Sequence, residues 1–238
     1  MNYNPFLRHM GLNEVFSSTP LDRTQSKTTE IKPALNKKMP SPISANNLSH
    51  IQSLEDLRKS IENFEGCPLK RTALNLVFSD GNPNAQIMLI GEAPGADEDR
   101  QGKPFVGMSG QLLTRAFQSA GFEREKDLYI SNSIFWRPPG NRQPTSQELD
   151  ACWPFTQRHI ELINPKVLIL VGNTAVKSVL KTTEGITKIR GQWIEYNSPG
   201  LPAPISAMAI YHPAYLLRSP GRKKEFWLDL LKISERLK

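Results

Sequence analysis

Two short segments hold most of the residues whose types could do chemistry: Gly91-Glu-Ala-Pro-Gly-Ala-Asp-Glu-Asp-Arg-Gln-Gly-Lys-Pro-Phe-Val-Gly107 and Tyr211-His-Pro-Ala-Tyr-Leu-Leu217. The first offers carboxylates, backbone amides and one phenyl ring; the second offers an imidazole. A Gly-rich turn invites a phosphate, but Asp97, Glu98 and Asp99 follow within a few residues and would repel one. Neither Gly-Lys-Ser/Thr nor Gly-x-Gly-x-x-Gly is present. The turn therefore suits a neutral, planar ligand, with Phe105 as an exposed ring on which that ligand stacks. Core packing is the alternative use of the ring. His212 precedes Pro213, which fixes the backbone and is expected to turn the imidazole outward, with Tyr215, Leu216 and Leu217 following in a loop. A structural histidine is the alternative. His9, His50 and His159 have no metal-ligand spacing, so no zinc site is expected.

A third candidate, Asn132, lies in Tyr129-Ile-Ser-Asn-Ser-Ile-Phe-Trp-Arg-Pro-Pro-Gly-Asn-Arg142, at the end of an apolar run that reads as a strand over 128–134. An amide side chain is disfavoured there and needs a reason. A carboxamide presents a donor and an acceptor together, which matches the O4 and N3–H edge of uracil, whereas cytosine carries the reversed pattern. Bonding to a neighbouring loop is the structural alternative.

The elements that must position these groups follow from periodicity. Residues 87–90 and 205–210 are short apolar runs of the kind that form buried parallel strands. Both opening motifs therefore fall at the carboxyl ends of strands, where open α/β sheets place their ligands. Ser53 and Asp56 resemble a helix cap, followed by Leu54, Leu57, Ile61 and Phe64 at helical intervals. Residues 109–120 read as the helix after the first motif, ended by Gly121. Thr145 and Glu148 open a longer helix through Ile163, kinked or broken near Pro154. Residues 166–171 form a third strand, 173–180 a short helix, and Phe226, Trp227, Leu230, Leu231 and Leu237 stripe a final helix. Strand and helix alternate without an internal repeat, which predicts an α/β fold with a parallel sheet between helices.

The chain has 238 residues, 38% of them hydrophobic, enough for one substantial core. Residues 1–48 are rich in Ser, Thr, Asn, Pro and Lys and show no sustained period, so they are expected to be a disordered basic tail before a domain over 49–238. Its one apolar patch, at 5–16, reads as a frayed terminus or a short docking helix. No run is long enough to span a membrane and no secretory signal is visible, so a soluble, cytoplasmic protein is expected. The two cysteines, Cys67 and Cys152, fit a reducing compartment, with a single disulfide as the alternative. The net charge of +7 is carried by the two ends: residues 218–238 hold seven Lys or Arg against three acids, and residues 1–50 six against three. A basic stretch beside the His-containing segment suits a phosphate backbone.

Taken together, Gly91-Glu-Ala-Pro-Gly, Gly102-Lys-Pro-Phe-Val-Gly107, Asn132 with Arg137-Pro-Pro-Gly-Asn-Arg142, Pro165-Lys-Val-Leu-Ile-Leu-Val-Gly172 and His212-Pro-Ala-Tyr-Leu-Leu217 resemble the family 4 uracil-DNA glycosylases. The match runs in order from about Phe64 to the C-terminus. The resemblance implies a three-layer α/β/α sandwich around a four-stranded parallel sheet and repair activity on deaminated cytosine in DNA. It implies that Phe105 stacks on the flipped uracil, Asn132 reads its edge and His212 donates to O2. Glu92 would lie in the catalytic loop, with Glu98 in support, and Gly91 and Ala93 would contact the substrate. Ala93 stands where the best-known branch has an Asp, which leaves the water-activating role between Glu92 and Glu98. Leu216 and Leu217 would wedge into the vacated stack, and Arg218, Arg222, Lys223 and Lys224 would grip phosphates.

The resemblance also implies a 4Fe-4S cluster on four cysteines, but the corresponding positions here are Phe64, Cys67, Trp136 and Cys152. Two ligands are replaced by bulky apolar residues, so no metal and no nucleotide cofactor is expected, and Phe64 and Trp136 are expected to fill the vacated volume. The resulting expectation is a monomeric glycosylase that releases uracil from DNA, with the tail as the candidate contact for a repair-protein partner. Two alternatives stand beside it: a non-catalytic nucleic-acid-binding module on the same fold, and a glycosylase shifted toward hypoxanthine or a mismatched base.

Overall fold

The computed structural model describes residues 48–237. The expectations for the tail, including the patch at 5–16, lie outside these residues apart from Leu48. Leu48 and Ile51 are buried in a core cluster ahead of the first helix, α1 (Leu54–Glu62). Ser53 caps that helix as its spacing predicts, its hydroxyl accepting from the Asp56 amide at 3.1 Å.

Six strands form one sheet among the described residues: β1 (Asp80–Gly81), β2 (Ile87–Gly91), β3 (Leu128–Asn132), β4 (Val167–Val171), β5 (Trp193–Tyr196) and β6 (Ile205–Ile210), in the order β1-β3-β2-β4-β6-β5. The expected four-stranded parallel sheet is thereby corrected. Strands β3, β2, β4 and β6 are parallel, but β1 and β5 add antiparallel edges, so the sheet is mixed. The edges have a physical reason to escape a search for apolar runs: β1 is two residues long and β5 is mostly half-exposed, with Glu195 facing solvent. The four inner strands are almost wholly buried and read as continuous apolar runs because both faces are covered.

The pleat sends alternate residues to two helical layers. Ile87, Leu89, Ile130, Ile169 and Met208 pack against α3 (Met108–Ser119) and α9 (Lys223–Leu237) through Leu113, Phe117, Phe226 and Leu230. Met88, Ile90, Tyr129, Leu168 and Ala207 pack against α5 (Ser146–Ile163) and α6 (Asn173–Leu180) through Ile160, Ala175, Val176 and Val179. This is an α/β/α arrangement. Of the kink or break expected near Pro154, the break is absent: α5 runs for 18 residues through it. Burial of Cys152, Phe155, His159 and Ile160 along one face offsets the bond that the proline ring removes.

Two further corrections concern the motifs. The acidic turn contains a short helix, α2 (Ala96–Gln101), and the segment after His212 is helix α8 (Pro213–Arg218) rather than a loop. Pro213 fits at the first helical position because its missing N–H would have no partner there. Short helices α4 (Arg124–Asp127) and α7 (Ile186–Ile189) complete the elements. No helix among the described residues is long and apolar enough to cross a membrane.

Candidate active site

The carboxyl ends of the parallel strands open onto a cavity of about 490 Å³. Its wall includes Glu92, Ala93 and Glu98 from the first motif, Phe105, Asn132 from the end of β3, and His212, Tyr215 and Arg218 from the β6–α8 junction. Pairing of β2 with β3 sets Gly91 opposite Asn132, and pairing of β4 with β6 brings Val171 opposite Ile210, so the segments that follow converge. Gly91 itself is buried beneath the cavity. A Cβ there would strike the Asn132 carboxamide oxygen and come within 2.5 Å of the Phe105 ring, so only glycine lets both side chains settle at this strand end.

The exposed ring expected at Phe105 is corrected: it is 7% exposed, packed into the core while still lining the cavity, and has φ +52°, a left-handed conformation that bulky residues rarely adopt. Two side chains hold it. The Glu98 carboxylate accepts from the Val106 and Gly107 amides at 2.9 and 2.8 Å through Oε1 and from Gly95 at 3.1 Å through Oε2. From the other side, the Arg124 guanidinium donates to the carbonyls of Pro104 at 2.6 Å and Phe105 at 3.1 Å, while its Nε bonds Asp80 at 2.9 Å. The ring faces His212, with centroids 5.7 Å apart and planes inclined by 33°. The other two acids of the motif have duties of their own. Asp97 pairs with Arg100, and buried Asp99 accepts from the Leu74 and Asn75 amides.

His212 caps α8: its Nδ1 accepts from the Ala214 amide at 3.2 Å, which leaves Nε2 to carry the proton of the neutral ring. Burial in the cavity wall, with Arg218 nearby, pushes its pKa down to about 4 against an opposing pull from Glu98, so the ring is uncharged at neutral pH. Glu92 accepts a 2.6 Å hydrogen bond from the Thr174 hydroxyl on the first turn of α6 through Oε2. No other hydrogen bond to its carboxylate occurs among the described residues, whereas Glu98 has both oxygens engaged by backbone amides. The arrangement offers a flat slot, one edge-reading amide, one neutral N–H donor and one partly free carboxylate. That set can hold a planar base and stabilise negative charge on it.

The profile of the Uracil DNA glycosylase superfamily matches residues 78–231. The type-4 uracil-DNA glycosylase of Archaeoglobus fulgidus is 38% identical over 189 residues, 78% of this chain and 94% of its own length. This chain belongs to the uracil DNA glycosylase superfamily. The type-4 enzyme of Thermotoga maritima is also 38% identical, over 70% of this chain and 84% of its own length. The type-5 uracil-DNA glycosylase of Thermus thermophilus is 29% identical over 66% and 78%.

For a superfamily member the residues flanking the cavity decide how a duplex could be gripped, and here sequence had grouped side chains that the fold separates. Leu216 is 1% exposed and packs in the core beneath α8, so the wedge role expected of it is corrected; Leu217, beside it, is 41% exposed. Arg218 is exposed and lines the cavity, while Arg222 pairs with Glu225 at 2.5 Å. Sequence reading assigned no site role to Thr174, Arg124, Ser109, Tyr215 or the rim residues Asn141, Arg142 and Gln143. The Arg137-Pro-Pro-Gly-Asn-Arg142 segment is the sequence signal for the rim. Glu148, 4% exposed, holds Arg142 there by bonds of 2.9 and 2.6 Å while completing the capping box of α5.

The residues at the four cluster positions do not fit an iron–sulfur centre. Phe64 packs on Phe155 with ring centroids 4.8 Å apart, Trp136 is buried edge-on to Phe135, and Cys67 and Cys152 supply two thiols where a cubane needs four ligands. Among the described residues no group of three or more His, Cys, Asp or Glu side chains could hold a metal ion.

Proposed function

We propose that this chain hydrolyses the N-glycosidic bond of uracil in DNA, releasing free uracil and leaving an abasic site. The observation that carries this reading is the meeting of Phe105, Asn132 and His212, from three separate segments, on the wall of one cavity with Glu92. A uracil swung out of the helix stacks on Phe105, and the Asn132 carboxamide matches its O4 and N3–H edge. His212 Nε2–H donates to O2 as the glycosidic electrons move onto the departing base, and it needs no proton from solvent to do so. Glu92 faces the sugar, where its negative charge favours the developing cation and its freer oxygen orders the attacking water. Thr174 fixes the orientation of that carboxylate. Glu98, with both oxygens engaged by amides, acts as a positioning residue for the Phe105 turn. Leu217 enters the gap left by the flipped base and Arg218 meets a phosphate.

The proposed enzyme acts as a monomer in the cytoplasm, and the superfamily match over 78–231 accords with a catalytic domain over 49–238 behind a basic tail. The tail is the segment left for a repair partner. The test is incubation of the protein with end-labelled oligonucleotides carrying uracil, hypoxanthine or thymine opposite guanine, followed by alkali. Strand cleavage at uracil, lost in His212→Ala and weakened in Asn132→Asp, is the expected result. Cleavage at hypoxanthine or thymine alone would replace the assigned base, and cleavage at none would leave only a binding module.

A further inference from the structure

The only two cysteines of the chain, far apart in sequence, come together in one apolar cluster outside the cavity lining. Cys67 caps a single turn of 3-10 helix (Pro68–Arg71), and Cys152 lies on α5. Both are free cysteines in that one buried cluster, 1% and 0% exposed, and each is the strongest influence on the other's ionisation. Phe64, Trp136, Phe135 and Phe155 belong to the same cluster, so its side chains offer each sulfur no redox-active partner but the other sulfur. We propose that Cys67 and Cys152 are an oxidisable pair that closes to an intramolecular disulfide when a low-molecular-weight disulfide is supplied, a modification site distinct from the cavity.

The order of events follows from depth. Cys67 sits in a turn whose neighbours Glu65 and Pro68 are exposed, whereas Cys152 is enclosed by its helix. The Cys67 thiolate attacks the small disulfide, one sulfur of which leaves as a thiolate and takes up a proton. Cys152, deprotonated in turn, attacks the Cys67 sulfur of the mixed disulfide and expels the second small thiol. The protein pair loses two electrons and two protons, and the oxidant becomes two thiols. The influence of each thiol on the other favours this order, since it holds Cys67 below its ordinary pKa and, together with burial, pushes Cys152 well above it. The new bond fastens the Cys67 turn to α5, whose N-terminal cap anchors Arg142 at the cavity mouth.

The proposal is independent of the glycosylase reading. The full chain, purified under reductant and desalted, is incubated with oxidised glutathione, quenched in acid, denatured, and examined by thiol titration and intact mass. Loss of both thiols with a mass lower by two hydrogen atoms and no adduct is expected, with a thermal midpoint several degrees higher that dithiothreitol reverses. Cys67→Ser and Cys152→Ala are expected to keep one thiol or to carry a glutathione adduct. Two titratable thiols after denaturation, stable single adducts on the unmutated chain, or covalent dimers would each overturn the proposal, and these wild-type readouts hold even if a variant fails to fold.

Discussion

At the scale of single residues, chemistry turns on which nitrogen of His212 holds the proton. The Ala214 amide points its hydrogen at Nδ1, so the neutral ring must be protonated at Nε2, and burial keeps it neutral down to about pH 4. Single-turnover rates on a uracil oligonucleotide should therefore be flat from pH 8 to about 5, in contrast to the midpoint near 6.5 of an ordinary histidine. A rate that halves near 6.5 would mean that a protonated and a neutral ring exchange during catalysis. His212→Ala should slow the chemical step by roughly a hundredfold to a thousandfold, the usual loss for one oxyanion donor. Thr174→Val removes the one hydrogen bond that the Glu92 carboxylate accepts among the described residues and should lower kcat about tenfold with KM little changed, while Thr174→Ser restores it. If Glu92→Ala is slow and Thr174→Val is not, the water role stands and the positioning role falls. The sequence drew attention to Asn132 as an amide at a strand end, to His212 as the residue before a proline just past one, and to Phe105 as a ring in a Gly- and Pro-rich turn. Thr174 drew none, since a threonine in a first helical turn reads as local capping. Leu216 and Leu217 could not be told apart until α8 was known to be a helix, where successive side chains point about 100° apart, one into the core and one out.

At the scale of elements, the Phe105 turn is a strained segment gripped from two sides. A left-handed non-glycine residue costs on the order of 1–3 kcal/mol, and it persists here because Glu98 and Arg124 together bind four backbone groups around it. Gly110 contributes by absence, since a Cβ there would collide with the Phe105 backbone. Glu98→Ala should release the turn and cut kcat/KM by about tenfold to a hundredfold, roughly the worth of lost hydrogen bonds to a charged group. Glu98→Gln keeps an acceptor for the Val106 and Gly107 amides and should recover much of that loss. Equal damage from both variants would instead make the charge of Glu98 part of the chemistry. The inner strands and longer helices were readable because burial on two faces, or on one stripe, leaves a periodic trace. Edge strands β1 and β5 and helices α2 and α8 leave almost none, being short and fixed by tertiary contacts rather than by their own pattern.

At the scale of the whole molecule, buried neutral histidines tie folding to pH. His159 is fully buried on α5, stacked on Phe78 with ring centroids 4.5 Å apart, and its Nε2 lies 2.7 Å from the Tyr129 hydroxyl. Burial pushes its pKa down to about 3, beside the value of about 4 for His212. In the unfolded chain both return to about 6.5, so below that pH the unfolded state binds protons that the native state refuses. Their stabilisation is complete above about 6.5 and drains as pH falls toward the folded values, at up to about 1.4 kcal/mol per unit for each residue. From pH 7 to 5 the loss is roughly 2 kcal/mol apiece. Glu148 and Glu161, held below the usual carboxylate range by Arg142 and by Ser198 and Arg158, add their own acid sensitivity only at lower pH. Urea unfolding at pH 7 and pH 5 separates these contributions. His159→Gln keeps a partner for Tyr129 but cannot titrate, so it should lose about half of the pH dependence of the wild type over that interval. An unchanged dependence would show that His159 accepts its proton in the folded state.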